Sequence, residues 1–169
     1  MKTKIPPPII ALIMIAIIYF SSLIIEPITF NYQTLISILV VVIGLACAIP
    51  SFRLFAKNKT TISPFTPSET TALVTDGMYR YSRNPMYLGL VLLTIAATIF
   101  FGTWLGVVIV VVFIFLLNLV QIIPEEEALL DIFGEEYVEY QKKVRRWIWW
   151  ILLRILYNYE NVEWGRAIY

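Results

Sequence analysis

Apolar and polar positions alternate along this chain in long blocks, and the blocks set its organisation. The first apolar run, from about Pro7 to Ile25, contains no charged residue and is about as long as the roughly 20 residues that cross a hydrocarbon core. A short turn, Glu26-Pro27-Ile28-Thr29-Phe30-Asn31, separates it from a second run from about Gln33 to Leu54, where Pro50 predicts a kink. From Phe55 to Ser82 the chain becomes polar. Ser63-Pro64-Phe65-Thr66-Pro67-Ser68 favours extended backbone, and Asp76-Gly77 is a turn signal. A loop of that length without its own secondary structure is unusual unless it is functional or disordered.

Pro85 suits a first helical position and opens a third apolar run that ends near Phe101. Only Gly102-Thr103 separates it from a fourth, about Trp104 to Ile123, which predicts a tight helical hairpin. Pro124 is then expected to restart the chain in a new direction. From Glu125 to Arg146, the residues Leu129, Ile132, Phe133, Tyr137, Tyr140 and Val144 recur at helical spacing. Glu125, Glu126 and Glu127 occupy the first turn and Lys142, Lys143, Arg145 and Arg146 the end, as the helix macrodipole favours. The pattern predicts an amphipathic helix lying along the membrane surface. After it, Trp147-Ile148-Trp149-Trp150 suits an interfacial aromatic belt.

The expected fold is therefore an all-α membrane protein of about four transmembrane helices, with a C-terminal amphipathic surface helix and an aromatic tail. It forms one membrane domain over 1–169: spans one and two in 1–55, a core in 56–147, and an interfacial tail in 148–169. Lys2 and Lys4 precede span one, Arg53, Lys57, Lys59, Arg80 and Arg83 lie between spans two and three, and the remaining Lys and Arg follow span four. The positive-inside rule then puts both termini and the long loop in the cytoplasm.

Composition agrees with this and narrows the chemistry. Hydrophobic residues make up 59% of the 169 positions, against about 45–50% in soluble domains. The net charge of +1 provides no global field for nucleic acid. Histidine is absent and Cys47 is the single cysteine, in an apolar run where it reads as a packing residue. Without histidine there is no ordinary zinc site, no Ser-His or Cys-His nucleophile, and no neutral-pH proton shuttle. No metal site is expected. Chemistry is left to carboxylates, Tyr, Arg, backbone groups or a bound cofactor.

The hairpin brings two polar clusters to one membrane face. Tyr79-Arg80-Tyr81-Ser82-Arg83-Asn84-Pro85-Met86-Tyr87 leads into span three, and Glu125-Glu126-Glu127 follows span four. Arg83 and Tyr87 are expected within reach of the carboxylates. Taken separately, Arg and Tyr at a helix end are also ordinary interfacial anchors, and three Glu after a Pro are an ordinary helix start. Asn118 and Gln121, polar groups within span four, should face protein or a cavity rather than lipid. Gln121, one turn before Glu125, is the better candidate for a pocket.

The segment Thr71-Ala72-Leu73-Val74-Thr75-Asp76-Gly77-Met78-Tyr79, then Arg83-Asn84-Pro85-Met86-Tyr87-Leu88-Gly89, resembles the isoprenylcysteine carboxyl methyltransferases and their phospholipid-methyltransferase relatives. So do Glu125-Glu126-Glu127-Ala128-Leu129, Phe133-Gly134-Glu135-Glu136-Tyr137-Val138-Glu139-Tyr140 and the basic stretch after it. The resemblance covers about Thr71 to Trp147. It implies methyl transfer from S-adenosylmethionine, with S-adenosylhomocysteine as product, to a lipophilic or small membrane-soluble acceptor offering a carboxylate, amine or thiol. It implies a cofactor pocket formed by Thr71, Leu73, Val74, Tyr79, Asn84, Pro85, Met86, Tyr87, Glu125 and Glu126. It places Arg83, Glu125 and Gln121 nearest the chemistry, Gln121 standing where eukaryotic relatives have a substrate-linked arginine. The family's Arg-His-Pro is Arg83-Asn84-Pro85 here, and asparagine cannot act as a base at neutral pH. The alternative from a different class is a non-catalytic membrane scaffold docking a cytosolic partner.

Overall fold

The computed structural model describes residues 5–57 and 72–148, with the side chains of all of these except 55–57. Thr71, Lys2, Lys4, Lys59 and the tail from Trp149 onward lie outside the described residues.

The described chain is helical. Helix α1 spans Pro7–Ile24, α2 Gln33–Lys57, α3 Pro85–Phe101 and α4 Leu105–Leu117. A π turn, Asn118–Ile122, joins α4 to α5, Ile123–Phe133, and α6 covers Glu135–Lys143. A short 3-10 helix, Gly77–Arg80, precedes α3. Pro7–Ile24, Gln33–Leu54 and Leu105–Phe133 are long and apolar enough to cross a membrane, and Pro85–Phe101 is a shorter apolar helix. Outward positions such as Leu12, Phe20, Leu23, Val42, Val111 and Phe115 are exposed and apolar, which suits contact with lipid tails. The chain is an all-α integral membrane protein, as its apolar blocks require.

Two expectations are corrected. Helix α2 runs through Pro50 to Lys57, so the helix continues past the expected end at Leu54 into the start of the polar segment. Pro124 does not restart the chain either. Leu105–Phe133 forms one apolar helical run, and the π turn widens the ladder just before the proline, where its ring would otherwise meet the carbonyl one turn back. The amphipathic segment breaks instead at Gly134, whose φ of 51° and ψ of −123° lie outside the helical region. The stretch from Glu125 to Arg146 is therefore the end of the span-four run, a sharp corner, and a nine-residue helix.

Small residues let the helices approach closely. A Cβ on Gly89 of α3 would fall 2.7 Å from Ala48 Cβ and 2.8 Å from the Gly44 carbonyl of α2. A Cβ on Gly106 of α4 would fall 2.6 Å from Thr98 Cγ2 of α3. Close backbone approach is how helices associate where lipid removes the hydrophobic driving force. Gly89→Val is accordingly expected to push α2 from α3 at a cost of about 1–3 kcal/mol. The yield of monodisperse protein in detergent should fall, and wild-type yield would contradict the packing described.

The α3–α4 hairpin turns at Gly102, in the left-handed region at φ 63°. The Gly102 carbonyl accepts from the Ile28 amide at 2.8 Å, and Gln33 Nε2 donates to the Ile99 carbonyl at 2.7 Å. The two short turns thus meet at one end of the bundle. At the other end gather the start of α1, the end of α2, the start of α3 and the π turn of the fourth span.

Candidate active site

Sequence places Pro85 at the first turn of α3, with Tyr87 one position beyond Met86. Tyr87 points inward and is buried, in a cluster with Leu88, Val91, Phe113, Leu117 and Ile122. The fourth span returns beside it, and Glu125 follows within one turn of Ile122. The Tyr87 hydroxyl donates to Glu125 Oε1 at 2.5 Å. The expectation that the short hairpin would bring these two residues together is met.

Glu126 has a different environment. Its Oε1 accepts from Arg83 Nη2 at 2.8 Å and Arg83 Nε at 3.2 Å, and its Oε2 accepts from Arg146 Nη2 at 2.6 Å. The Arg83 and Glu126 side chains are each only 11% exposed. One carboxylate between two guanidinium groups satisfies its lone pairs with charge-assisted bonds. The hydrogen bond to Glu126 holds the Arg146 guanidinium above its usual range. Glu125, by contrast, has no cationic partner among the described residues. Of two adjacent carboxylates, one is neutralised twice and the other meets a phenol.

A strap, Val144 to Trp147, follows α6 and borders this pair. Val144 leaves the helix with extended backbone, at φ −122° and ψ 130°. Arg83 Nη1 donates to the Val144 carbonyl at 2.7 Å and the Arg83 amide to the Arg145 carbonyl at 2.9 Å. Ser82 Oγ donates to the Arg146 carbonyl at 2.9 Å, and Asn84 Nδ2 to the same oxygen at 3.3 Å. Trp147 is buried in the cluster that contains Tyr87, and its indole N–H donates to Asn118 Oδ1 at 3.3 Å. Trp147 is therefore a core residue, not the exposed interfacial anchor its sequence context suggests. Asn118 faces protein, as expected of a polar group in a span.

On the other flank, Val74 is buried and Leu73 packs against Tyr137, Tyr140 and Val144. Tyr140 donates its hydroxyl to the Tyr79 carbonyl at 2.7 Å, tying α6 to the 3-10 turn. Burial pushes the Tyr137 phenol up to about 12, and raises Tyr79 and Tyr140 further, so all three are neutral at physiological pH.

The candidate residues thus divide. Leu73, Val74, Tyr79, Asn84, Pro85, Met86, Tyr87, Glu125, Glu126 and Arg83 belong to the same end of the bundle, linked through the strap and α6. Gln121 is 2% exposed and gives its amide to the Ile5 carbonyl at 3.0 Å, tying the π turn to the start of α1. Gln121 sits in the π turn itself, and its amide is used on α1. Arg146, Asn118, Ser82 and Trp147 take part without having been singled out as site residues. The clustered Arg145-Arg146-Trp147 sequence after the two tyrosines was the available signal for two of the four, Arg146 and Trp147.

The arrangement offers a carboxylate that faces no cation among the described residues, at the end of the bundle where Arg80, Arg83, Arg145 and Arg146 gather. Comparison with known proteins fits this chemistry. A family model described as phospholipid methyltransferase matches residues 32–136, more than half of the chain. Over 66 residues the chain is 47% identical to an uncharacterized protein of Haemophilus influenzae, covering 37% of this chain and all of that protein. Over 72 residues it is 32% identical to the protein-S-isoprenylcysteine O-methyltransferase of Schizosaccharomyces pombe, covering 43% of this chain and 30% of that enzyme. The chain thus spans less than a third of the fission-yeast enzyme's length. No solved structure matches the chain significantly.

Proposed function

We propose that this chain, which belongs to the phospholipid methyltransferase family, takes its methyl group from S-adenosylmethionine and transfers it to a lipophilic or small membrane-soluble acceptor. The observation that carries this reading is the Glu125 carboxylate, held by the Tyr87 hydroxyl and facing no cation among the described residues. A carboxylate in apolar surroundings is costly unless a positive group joins it. S-adenosylmethionine carries two such groups, a sulfonium and an ammonium, so the donor set fits the cofactor. When bound, the cofactor supplies an electrophilic methyl group, and the hard chemistry is its own.

What remains for the protein is binding, alignment and exclusion of water. Tyr87 fixes the orientation of the Glu125 carboxylate. Leu73 and Val74, in the non-helical segment before the 3-10 turn, offer backbone groups to the adenine. Tyr79, Pro85 and Met86 complete the wall, and the Asn84 side-chain amide is turned to the Arg146 carbonyl. Arg83 and Glu126 neutralise each other and hold the start of α3 against the fourth span. Gln121 fixes the start of α1 at the edge of the site. No side chain here has to act as a nucleophile, and an acceptor carboxylate or thiolate needs no proton removed. By the positive-inside rule, the basic residues at this end support a site facing the cytoplasm, with the acceptor arriving from the bilayer.

Membranes containing the protein, incubated with methyl-labelled S-adenosylmethionine, should yield a labelled lipid-soluble product by mass spectrometry. Tyr87→Phe loses one hydrogen bond to a charged group, and its initial rate at low cofactor should fall about tenfold. Label no higher than in membranes lacking the protein would leave the scaffold reading instead.

A further inference from the structure

Three consecutive carbonyl oxygens, those of Val144, Arg145 and Arg146, all accept hydrogen bonds from three consecutive residues, Ser82, Arg83 and Asn84. We propose that these three residues form a clasp for the strap, and that Asn84 is a positioning residue whose side-chain amide holds the strap beside the Tyr87–Glu125 pair and so sets how long the cofactor is retained. The retention part rests on the methyltransferase reading above; the clasp does not.

The strap has no helix or strand of its own to hold it, since α6 ends at Lys143. Its carbonyls have no helix partner downstream, and an acceptor left unpaired in a buried residue such as Val144 is costly. The clasp meets three of the strap's four, those of Val144, Arg145 and Arg146. Ser82 is fully buried, and its Oγ also accepts from the Asn84 amide at 3.1 Å, which fixes the turn before Pro85. Asn84 is buried, and its Nδ2 joins Ser82 on the Arg146 carbonyl. The strap's side chains then reach across to the fourth span: Arg146 to Glu126 and Trp147 to Asn118. Four residues of chain thereby bridge the start of α3, which carries Tyr87, and the run that carries Glu125. Position 84 therefore has to supply a donor, not a base.

Asn84→Asp keeps the size of the side chain and turns an oxygen toward the Arg146 carbonyl. Asn84→His restores an N–H donor. In ligand-free protein in detergent, the peptide containing Arg83 should exchange its amide hydrogens faster in Asn84→Asp and return toward the wild-type rate in Asn84→His. Calorimetry and stopped-flow should show S-adenosylmethionine affinity falling about tenfold in Asn84→Asp, chiefly through faster dissociation, with recovery in Asn84→His. Unchanged exchange in Asn84→Asp would overturn the clasp. Faster exchange with unchanged cofactor dissociation would overturn the positioning role. Absence of cofactor binding to the wild type would defeat the methyltransferase reading and the retention role together, while the exchange measurement still decides the clasp.

Discussion

Glu125→Gln is expected to weaken S-adenosylmethionine binding about a hundredfold, measured by calorimetry on the detergent-purified protein. The substitution keeps the shape and the contact with Tyr87 but removes the charge. Truncating one side of a desolvated charge pair costs roughly 2–5 kcal/mol, and about 3 kcal/mol corresponds to that factor. The fold should survive, because Glu125 makes no ion pair among the described residues that the substitution would break. Glu127→Gln, at an exposed position two residues on, should bind like the wild type. Equal affinity in Glu125→Gln and the wild type would remove Glu125 from the site.

Glu126→Gln is expected to act on the structure itself. It takes away the carboxylate that joins Arg83 to Arg146 and leaves two guanidinium groups facing each other, one of them nearly buried. Breaking a buried pair from one side costs about 3–5 kcal/mol, because the remaining charge is stranded. For a chain of this size that corresponds to a thermal midpoint lower by roughly 10 °C. The strap should loosen first, because Arg146 is one of its ties to the fourth span. A midpoint within a degree of the wild type would show that the charges are screened and the network contributes little. The adjacent glutamates thus have separable signatures, one in binding and one in stability.

Much of this was legible in the sequence, and the reasons are physical. The spans were readable because crossing a bilayer requires an uninterrupted apolar run, and Pro85 and Gly102 mark the ends of α3 with the residues those backbone positions favour. The meeting of Tyr87 with Glu125 followed from the brevity of the Gly102-Thr103 turn. The run through Pro124 was not legible, since a π turn has no composition of its own and the proline alone signals a break. The corner at Gly134 was hidden because the apolar spacing continues across it from Phe133 to Tyr137. The strap was the least visible of all. Its carbonyls accept bonds whatever side chains they carry, so nothing in Val144-Arg145-Arg146 announces which donors it meets. The division of labour between Glu125 and Glu126 was equally silent, because adjacent helical positions face different neighbours only once those neighbours are placed.

The cofactor is expected at the end of the bundle where Tyr87 meets Glu125. Photo-cross-linking with an azido analogue of S-adenosylmethionine, followed by peptide mapping, tests it directly. Label displaced by unlabelled cofactor is expected in the peptides spanning Leu73–Tyr87 and Gln121–Leu129. Competable label at the opposite end of the bundle, around Ile28 and Gly102, or no competable label at all, would contradict it.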